Sequence, residues 1–303
     1  MKWYTPMCIT FVSLLCCASL FAFAFQASNA ISAEQPHLSG SVEPVPVKVV
    51  SIGGANTEIL FKLGLGNRVI GSDTTSYYPE EAQKMPKVGY MRALSAEGIL
   101  SLEPDVIFAS EGSGPVKVLT QLKDLSTPWV TLPEVTSLDV LYKNIAKIGQ
   151  VMSVETQSLA LINALKKEQS LLEGVIQHDT HKPKVLFVMQ HTGTPMVAGN
   201  NTAADRIIRL AGGENVAATI EGYKPLTTEA LIALNPQWIL STFFGEGKQA
   251  SIEGISKIPG LSFTDASEIS HIIAMDALLL VGFGPRTIDA ANQLRASWQA
   301  GKR

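Results

Sequence analysis

Apolar and polar positions along this chain follow two alternating rhythms. Short apolar runs at Val47–Ile52, Val106–Ala109 and Trp129–Leu132, with another beginning at Arg68–Gly71, read as strands. Between them apolar residues recur at helical spacing, as at Ile59, Leu60 and Leu63 before a stop at Gly64. From Leu138 to Gln177 there is no proline, and the glycines are Gly149 and Gly174. Leu141, Ile145 and Ile148 make one apolar stripe. Leu159, Ile162, Leu165, Leu172 and Ile176 continue it beyond Ser153, which the pattern casts as an N-cap. This predicts a short helix feeding one of about 25 residues, roughly 37 Å long and able to serve as a stiff connector. The strand rhythm resumes at Lys184–Met189, Ile239–Thr242 and His271–Ala274. An amphipathic helix with a glycine stop covers Ala203–Gly213, and a closing helix runs from Pro285 to Trp298. Strands alternating with helices predict an α/β fold whose mostly parallel sheets are covered on both faces.

One stretch of this pattern is written twice. Leu94-Ser-Ala-Glu97-Gly-Ile-Leu-Ser-Leu-Glu-Pro104-Asp-Val-Ile107 returns as Leu226-Thr-Thr-Glu229-Ala-Leu-Ile-Ala-Leu-Asn-Pro236-Gln-Trp-Ile239, at a constant offset of 132 residues. Each copy reads hydroxyl, carboxylate, short apolar helix, Leu-x-Pro, strand, and Gly-Tyr precedes both, at Gly89-Tyr90 and Gly222-Tyr223. Repetition at fixed spacing marks repeated architecture. It predicts two similar lobes, over 47–137 and 181–303, joined by connecting helices over 138–180. A cleft between such lobes is a natural ligand site.

The chain has 303 residues, 46% apolar and 17% charged, enough for two lobes with their own cores. A net charge of −3 without any basic run or aromatic-basic interleaving gives no sign of a nucleic-acid partner. Lys2, an apolar run from Met7 to Phe25 and the small-x-small site Ser28-Asn29-Ala30 read as a secretory signal peptide over 1–30, with a retained membrane anchor as the alternative. Residues 31–46, rich in proline, form a flexible lead-in. Cys8, Cys16 and Cys17 all fall in the leader, so the mature chain has no disulfide or thiolate site. Lipidation at Cys16 or Cys17 would lack the small residues usually found ahead of a lipoprotein cysteine.

Candidate chemistry is sparse. Glu97 and Glu229 each lie two residues after a hydroxyl, one short of capping-box spacing. They either complement a helix dipole or form matched anions, one per lobe, for a two-fold partner. Tyr90, two residues before Arg92 in a loop, is either a packing residue or a ligand for a hard metal, since tyrosine serves as an axial ligand of haem iron. His191 follows a strand, where open α/β sheets bind ligands, or is simply a solvated loop residue. The other histidines show no metal spacing. There is no G-x-S-x-G and no Walker A sequence. Gly64-Leu-Gly66 sits at a helix end and is no dinucleotide fingerprint; Gly112-Ser-Gly114-Pro reads as a cleft loop.

From Val47 onward the chain resembles the periplasmic haem-binding proteins of bacterial ABC importers, in the helical-backbone class that also carries siderophores and cobalamin. The broader class shares Gly54-Ala-Asn56-Thr57-Glu58 and Leu102-Glu-Pro104-Asp105; the haem branch shares Val88-Gly89-Tyr90-Met91-Arg92, Gly193-Thr194-Pro195-Met196-Val-Ala-Gly199 and Gly222-Tyr223-Lys224-Pro225-Leu226. The resemblance implies a non-enzymatic, monomeric periplasmic protein that carries haem to an ABC permease dimer with its ATPase, downstream of an outer-membrane haem receptor. It implies Tyr90 as axial iron ligand, Arg92 as partner of its oxygen and His191 as a second axial ligand. Tyr223 and Lys224 would line the opposite wall, Lys224 meeting a propionate. Glu97 and Glu229 would meet permease arginines. The same fold with a ferric siderophore or corrinoid is the nearest alternative, and a secreted metal-dependent hydrolase the alternative of another class.

Overall fold

A computed structural model describes residues 45–123, 127–190 and 193–300. The signal peptide and all but the last two residues of the lead-in lie outside them. Residues 45–132 supply β1 (Val49–Ile52), α1 (Gly54–Lys62), β2 (Val69–Ser72), α2 (Glu80–Gln83), a hairpin of β3 (Gly89–Tyr90) and β4 (Ala93–Leu94), α3 (Ala96–Leu100), β5 (Val106–Ser110), α4 (Val116–Lys123) and β6 (Trp129–Leu132). Two helices follow, α5 (Leu138–Val151) and α6 (Glu155–Ile176). The remainder gives β7 (Lys184–Met189), β8 (Met196–Ala198), α7 (Ala203–Leu210), β9 (Glu214–Asn215), β10 (Tyr223–Pro225), α8 (Thr228–Leu234), β11 (Trp238–Phe243), α9 (Lys248–Ser256), β12 (Ile272–Asp276), α10 (Ala277–Val281) and α11 (Thr287–Ala300).

The first sheet is wholly parallel in the order β2-β1-β5-β6. The second repeats that order as β9-β7-β11-β12, again parallel. It adds an antiparallel pair, β8 and β10, along the carboxyl end of β7. The apolar rhythm missed this pair because each strand is three residues long and Tyr223-Lys224-Pro225 is exposed throughout.

Alternate residues of each strand face opposite sides, and the two sides belong to different cores. Val49, Val106 and Phe108 of the first sheet share one apolar cluster with Val185, Phe187, Leu240 and Met275 of the second. Leu141 and Ile145 of α5, Leu165 and Leu172 of α6, and Ile207 and Ile208 of α7 complete it. The outer faces are separate: Val50, Ile52 and Ile107 pack with Val88, Leu94 and Ile99, while Leu186, Val188 and Ile239 pack with Leu226 and Leu231. Each fully buried Leu, Ile or Val stabilises by about 1.5–3 kcal/mol. A core common to both sheets therefore resists separation of the lobes.

The connector differs from its expected form at one point. Ser153 does not cap α6. The N-cap is Val154, without a side-chain bond, and Ser153 adopts a φ of 54° in the tight turn from α5. Gly149 permits that turn, since a Cβ there would lie 1.7 Å from Ser158 Oγ. Helix α6 has 22 residues, about 33 Å of length. Among the described residues no helix is long and apolar enough to cross a membrane.

Candidate ligand cleft and docking faces

Tyr90 stands on a tight β-hairpin rather than in an open loop. Its strand pairs Gly89 with Leu94 and Tyr90 with Ala93. Gly89 has a φ of 105°, and a Cβ there would come within 2.6 Å of Ala93 O, so only glycine fits. Leu94 N donates to Gly114 O and Gly114 N to Met91 O, both at 2.9 Å, which ties the hairpin to the turn after β5. Tyr90 is 43% exposed, and Arg92 Nη1 donates to its hydroxyl at 2.9 Å. The turn after β5 is tied in the same way to the end of β6, through Glu111 N and Leu132 O at 2.7 Å. This places Tyr90 and Arg92 beside the carboxyl ends of the first sheet's strands, where parallel α/β sheets bind ligands.

The second lobe presents Tyr223 in an equivalent setting. Gly222 has a φ of 69°, and Tyr223 pairs with Ala198 across β10 and β8. Position 199, just after β8, admits only glycine, because a Cβ there would lie 2.0 Å from Ile220 O. Tyr223 is 40% exposed, and Lys224 is exposed beside it. Shielding from water raises the Tyr223 phenol above its usual range; Arg206 opposes this and Glu134 adds to it. Glu134 follows β6 of the first lobe and Arg206 lies on α7, so Tyr223 faces the space between the lobes. His191 lies outside the described residues.

A cavity of about 410 Å³ lies against the connecting helices, lined by Thr136 and Ser137, Gln169 of α6, and Arg206, Arg209 and Phe283; Arg206 is its link to the surroundings of Tyr223, and neither Tyr90 nor Tyr223 lines it. Arg209 pairs with the buried Asp205 at 2.9 Å. Arg206 has no ion-pair partner among the described residues. Sequence reasoning missed Arg206 because it falls on the polar face of an ordinary amphipathic helix. No group of three or more histidine, cysteine or carboxylate residues able to hold a metal occurs among the described residues.

Glu97 and Glu229 are exposed, each in the first turn of its helix. The hydroxyls ahead of them are the N-caps: Ser95 Oγ accepts from Gly98 N at 3.0 Å, and Thr227 Oγ1 from Ala230 N at 3.1 Å. Neither carboxylate has a hydrogen-bond or ion-pair partner among the described residues.

Contacts that the sequence did not reveal tie the lobes together. Glu58 of α1, whose side chain is 2% exposed, accepts from Arg286 Nη2 and from the Arg286 amide, both at 3.0 Å. The Arg286 guanidinium lies 3.3 Å from the ring centre of Tyr78. Burial raises the Glu58 carboxyl above the usual carboxylate range, and Arg286 partly offsets that. Tyr77 Oη accepts from Leu278 N at 2.7 Å and donates to Asp276 at 3.2 Å. Burial is the main reason its phenol is pushed far up, with the Asp276 charge adding to it.

Known proteins agree with this architecture. The periplasmic binding protein family matches residues 49–278. The chain is similar to the periplasmic heme-binding protein RhuT from Roseiflexus sp. RS-1, 36% identical with a TM-score of 0.79, covering 84% of this chain and 99% of that one. It is similar to the ABC transporter substrate-binding lipoprotein YvrC of Bacillus subtilis, 29% identical over 85% of this chain and 81% of the relative. The vitamin B12-binding protein of Yersinia pestis is 25% identical over 82% of this chain and 84% of its own length.

Proposed function

The chain belongs to the periplasmic binding protein family, and from that premise we propose that it binds haem between its lobes and delivers it to an ABC permease with its ATPase. The protein is a binding protein of the haem, siderophore and cobalamin type, not an enzyme. In this reading residues 47–137 and 181–303 grip the porphyrin, and 138–180 hold them at nearly fixed spacing. Export through a leader over 1–30 places the mature chain in the periplasm.

The observation that carries the reading is the 2.9 Å bond from Arg92 to the exposed Tyr90 hydroxyl. A phenolic oxygen that ligates ferric iron gains from a charged donor aimed at it. The hairpin fixes both groups before ligand arrives, so little side-chain order remains to be imposed. Tyr223 and Lys224 supply an aromatic wall and a cation on the other lobe, suited to a porphyrin plate with anionic propionates. His191 is the second axial ligand in this proposal. Glu97 and Glu229 meet cations on the two permease subunits. Similarity to RhuT, described as heme-binding, supports the ligand.

The test is an optical titration of the mature chain with hemin. Wild type gives a saturable spectrum with a tyrosinate charge-transfer band. Tyr90→Ala abolishes most of that band, and Arg92→Ala weakens binding less. A chain that stays colourless with hemin overturns the proposal. The similarity to a vitamin B12-binding protein supports a second reading, a corrinoid ligand. Calorimetric binding of cyanocobalamin by a hemin-inert chain would establish that reading instead.

A further inference from the structure

The repeated segment keeps more than its carboxylates. Leu94 and Leu226 are buried, Ile99 and Leu231 are buried, and Pro104 and Pro236 are buried. Glu103, three residues past α3, and Asn235, the C-cap of α8, stand at matching positions and both take left-handed backbone, with φ of 48° and 37°. The two halves thus share a hydroxyl N-cap, a short helix and a left-handed exit into the next strand. Within this frame one position is anomalous in both copies. Leu100 and Ile232 follow directly after the buried residues Ile99 and Leu231, yet each remains 39% exposed. Ala96 and Leu102 join the apolar cluster on the outer face of the first sheet, and Ala230 and Leu234 join its counterpart, but Leu100 and Ile232 join neither. Each side chain keeps more than a third of its surface open to solvent, although Ile232 also rests beside the Gly260 turn.

Each lies three residues after its carboxylate, Glu97 or Glu229. Residues three apart on a helix are surface neighbours. We propose that the docking face of each lobe is a composite of anion and apolar knob, Glu97 with Leu100 and Glu229 with Ile232. The occupant is a two-fold symmetric membrane partner that presents, at each of two equivalent places, a cation beside an apolar socket. This deepens the docking role proposed above and rests on it. The physical need is plain: an exposed ion pair contributes little by itself. An apolar contact alongside excludes water from the pair and strengthens it, as the rim of an interface does for its central contacts. Matched patches on two lobes demand matched sites on the partner, which a dimer of identical subunits supplies. A second copy of this chain is the competing occupant.

The test uses the haem-loaded mature protein and its permease–ATPase complex in nanodiscs, with affinity read by interferometry and ATP hydrolysis read in parallel. Leu100→Ser combined with Ile232→Ser is expected to weaken docking by about ten-fold, and each single change by about three-fold. The hemin titration stays as in wild type, the folded state remains fully populated at the assay temperature, and the salt dependence of docking is retained. Glu97→Ala with Glu229→Ala weakens docking and flattens its salt dependence. If the Leu100/Ile232 pair docks within two-fold of wild type while the carboxylate pair fails, the knobs are refuted and the carboxylate docking stands. If the carboxylate pair docks normally, the underlying reading falls. A strongly unequal effect of the two single changes refutes the two-fold partner. A wild-type dimer that Leu100→Ser converts to monomer in sedimentation assigns the knobs to self-association and overturns the proposal.

Discussion

Replacing Arg286 by methionine should cost the fold about 3–5 kcal/mol at pH 8, because it strands the Glu58 carboxylate in the interior. The Glu58 side chain is 2% exposed and accepts both of its bonds from Arg286. One of them, from the backbone amide, survives the substitution. The guanidinium bond and its charge do not, and neither does the stack on Tyr78, worth about 0.5–2 kcal/mol. A partial offset comes from Arg286 Nε, which is buried without a hydrogen-bond partner; methionine removes that unpaired donor. The pH dependence has a definite sign. Burial already raises the Glu58 carboxyl, against the opposing pull of Arg286. Without the guanidinium it rises further. A carboxyl raised on folding favours the folded state when protonated, and that advantage is lost as pH climbs through the raised value. The loss caused by the substitution is therefore smaller at pH 5 than at pH 8. Urea unfolding followed by tryptophan fluorescence reads both, since Trp238 and Trp298 are buried. Adding Glu58→Gln removes the charge but keeps an acceptor for the residue-286 amide, and should recover most of the stability. A loss under about 1 kcal/mol at pH 8, equal losses at both pH values, or no recovery would refute this account.

Two further outcomes follow from neighbouring contacts. Tyr77→Phe leaves the Leu278 amide without its acceptor and removes a donor from Asp276; it should cost about 1–3 kcal/mol in the same urea assay and speed amide exchange at Leu278. Asp105→Asn should speed amide exchange at Val47 and Lys48, whose N–H groups both donate to its carboxylate at 2.8 Å. Those bonds, the Lys48 amide foremost, hold the Asp105 carboxyl below its usual range, so in wild type this bracing is present above the ordinary carboxylate range and fades as pH falls through the lowered value.

What was legible in the sequence was whatever repeats or stays buried. Strands such as β1, β5 and β7 read correctly because both of their faces are covered, giving unbroken apolar runs. Helix α5 read correctly because Leu141, Ile145 and Ile148 mark its inner face. The β3–β4 hairpin did not, because two-residue strands carry no period; its signal was Gly89, whose positive φ only a tight turn requires. Ser153 misled because a serine two residues before Glu155 imitates a cap, whereas the close approach of α5 and α6 sets the turn. The inter-lobe ties were illegible for a different reason. Glu58 and Arg286 stand 228 residues apart, and Tyr77 and Leu278 stand 201 apart. Only the fold brings them together. The available hint was a glutamate inside Gly54–Lys62, a helix otherwise buried through its first two turns.

In the function proposed above, the internal repeat also separates residues for the partner from residues for the ligand. Both copies keep a hydroxyl cap, a free carboxylate and an exposed apolar residue three positions on. The tyrosine segments just ahead have diverged. Tyr90 is followed two residues later by Arg92, which reaches its hydroxyl. Two residues after Tyr223 stands Pro225, on a strand rather than a hairpin turn, and no guanidinium is bonded to the Tyr223 oxygen among the described residues. Instead, partial burial raises the Tyr223 phenol, although 40% of the residue is open to solvent. A symmetric partner of the proposed kind would constrain both halves alike and keep the two helices matched. An iron centre has no such need, and a second anionic oxygen facing it would require further desolvation of charge. Under the haem reading proposed above, this asymmetry assigns ligation to Tyr90 of the first lobe, leaves Tyr223 as an aromatic wall and gives the duplicated helices to the membrane partner.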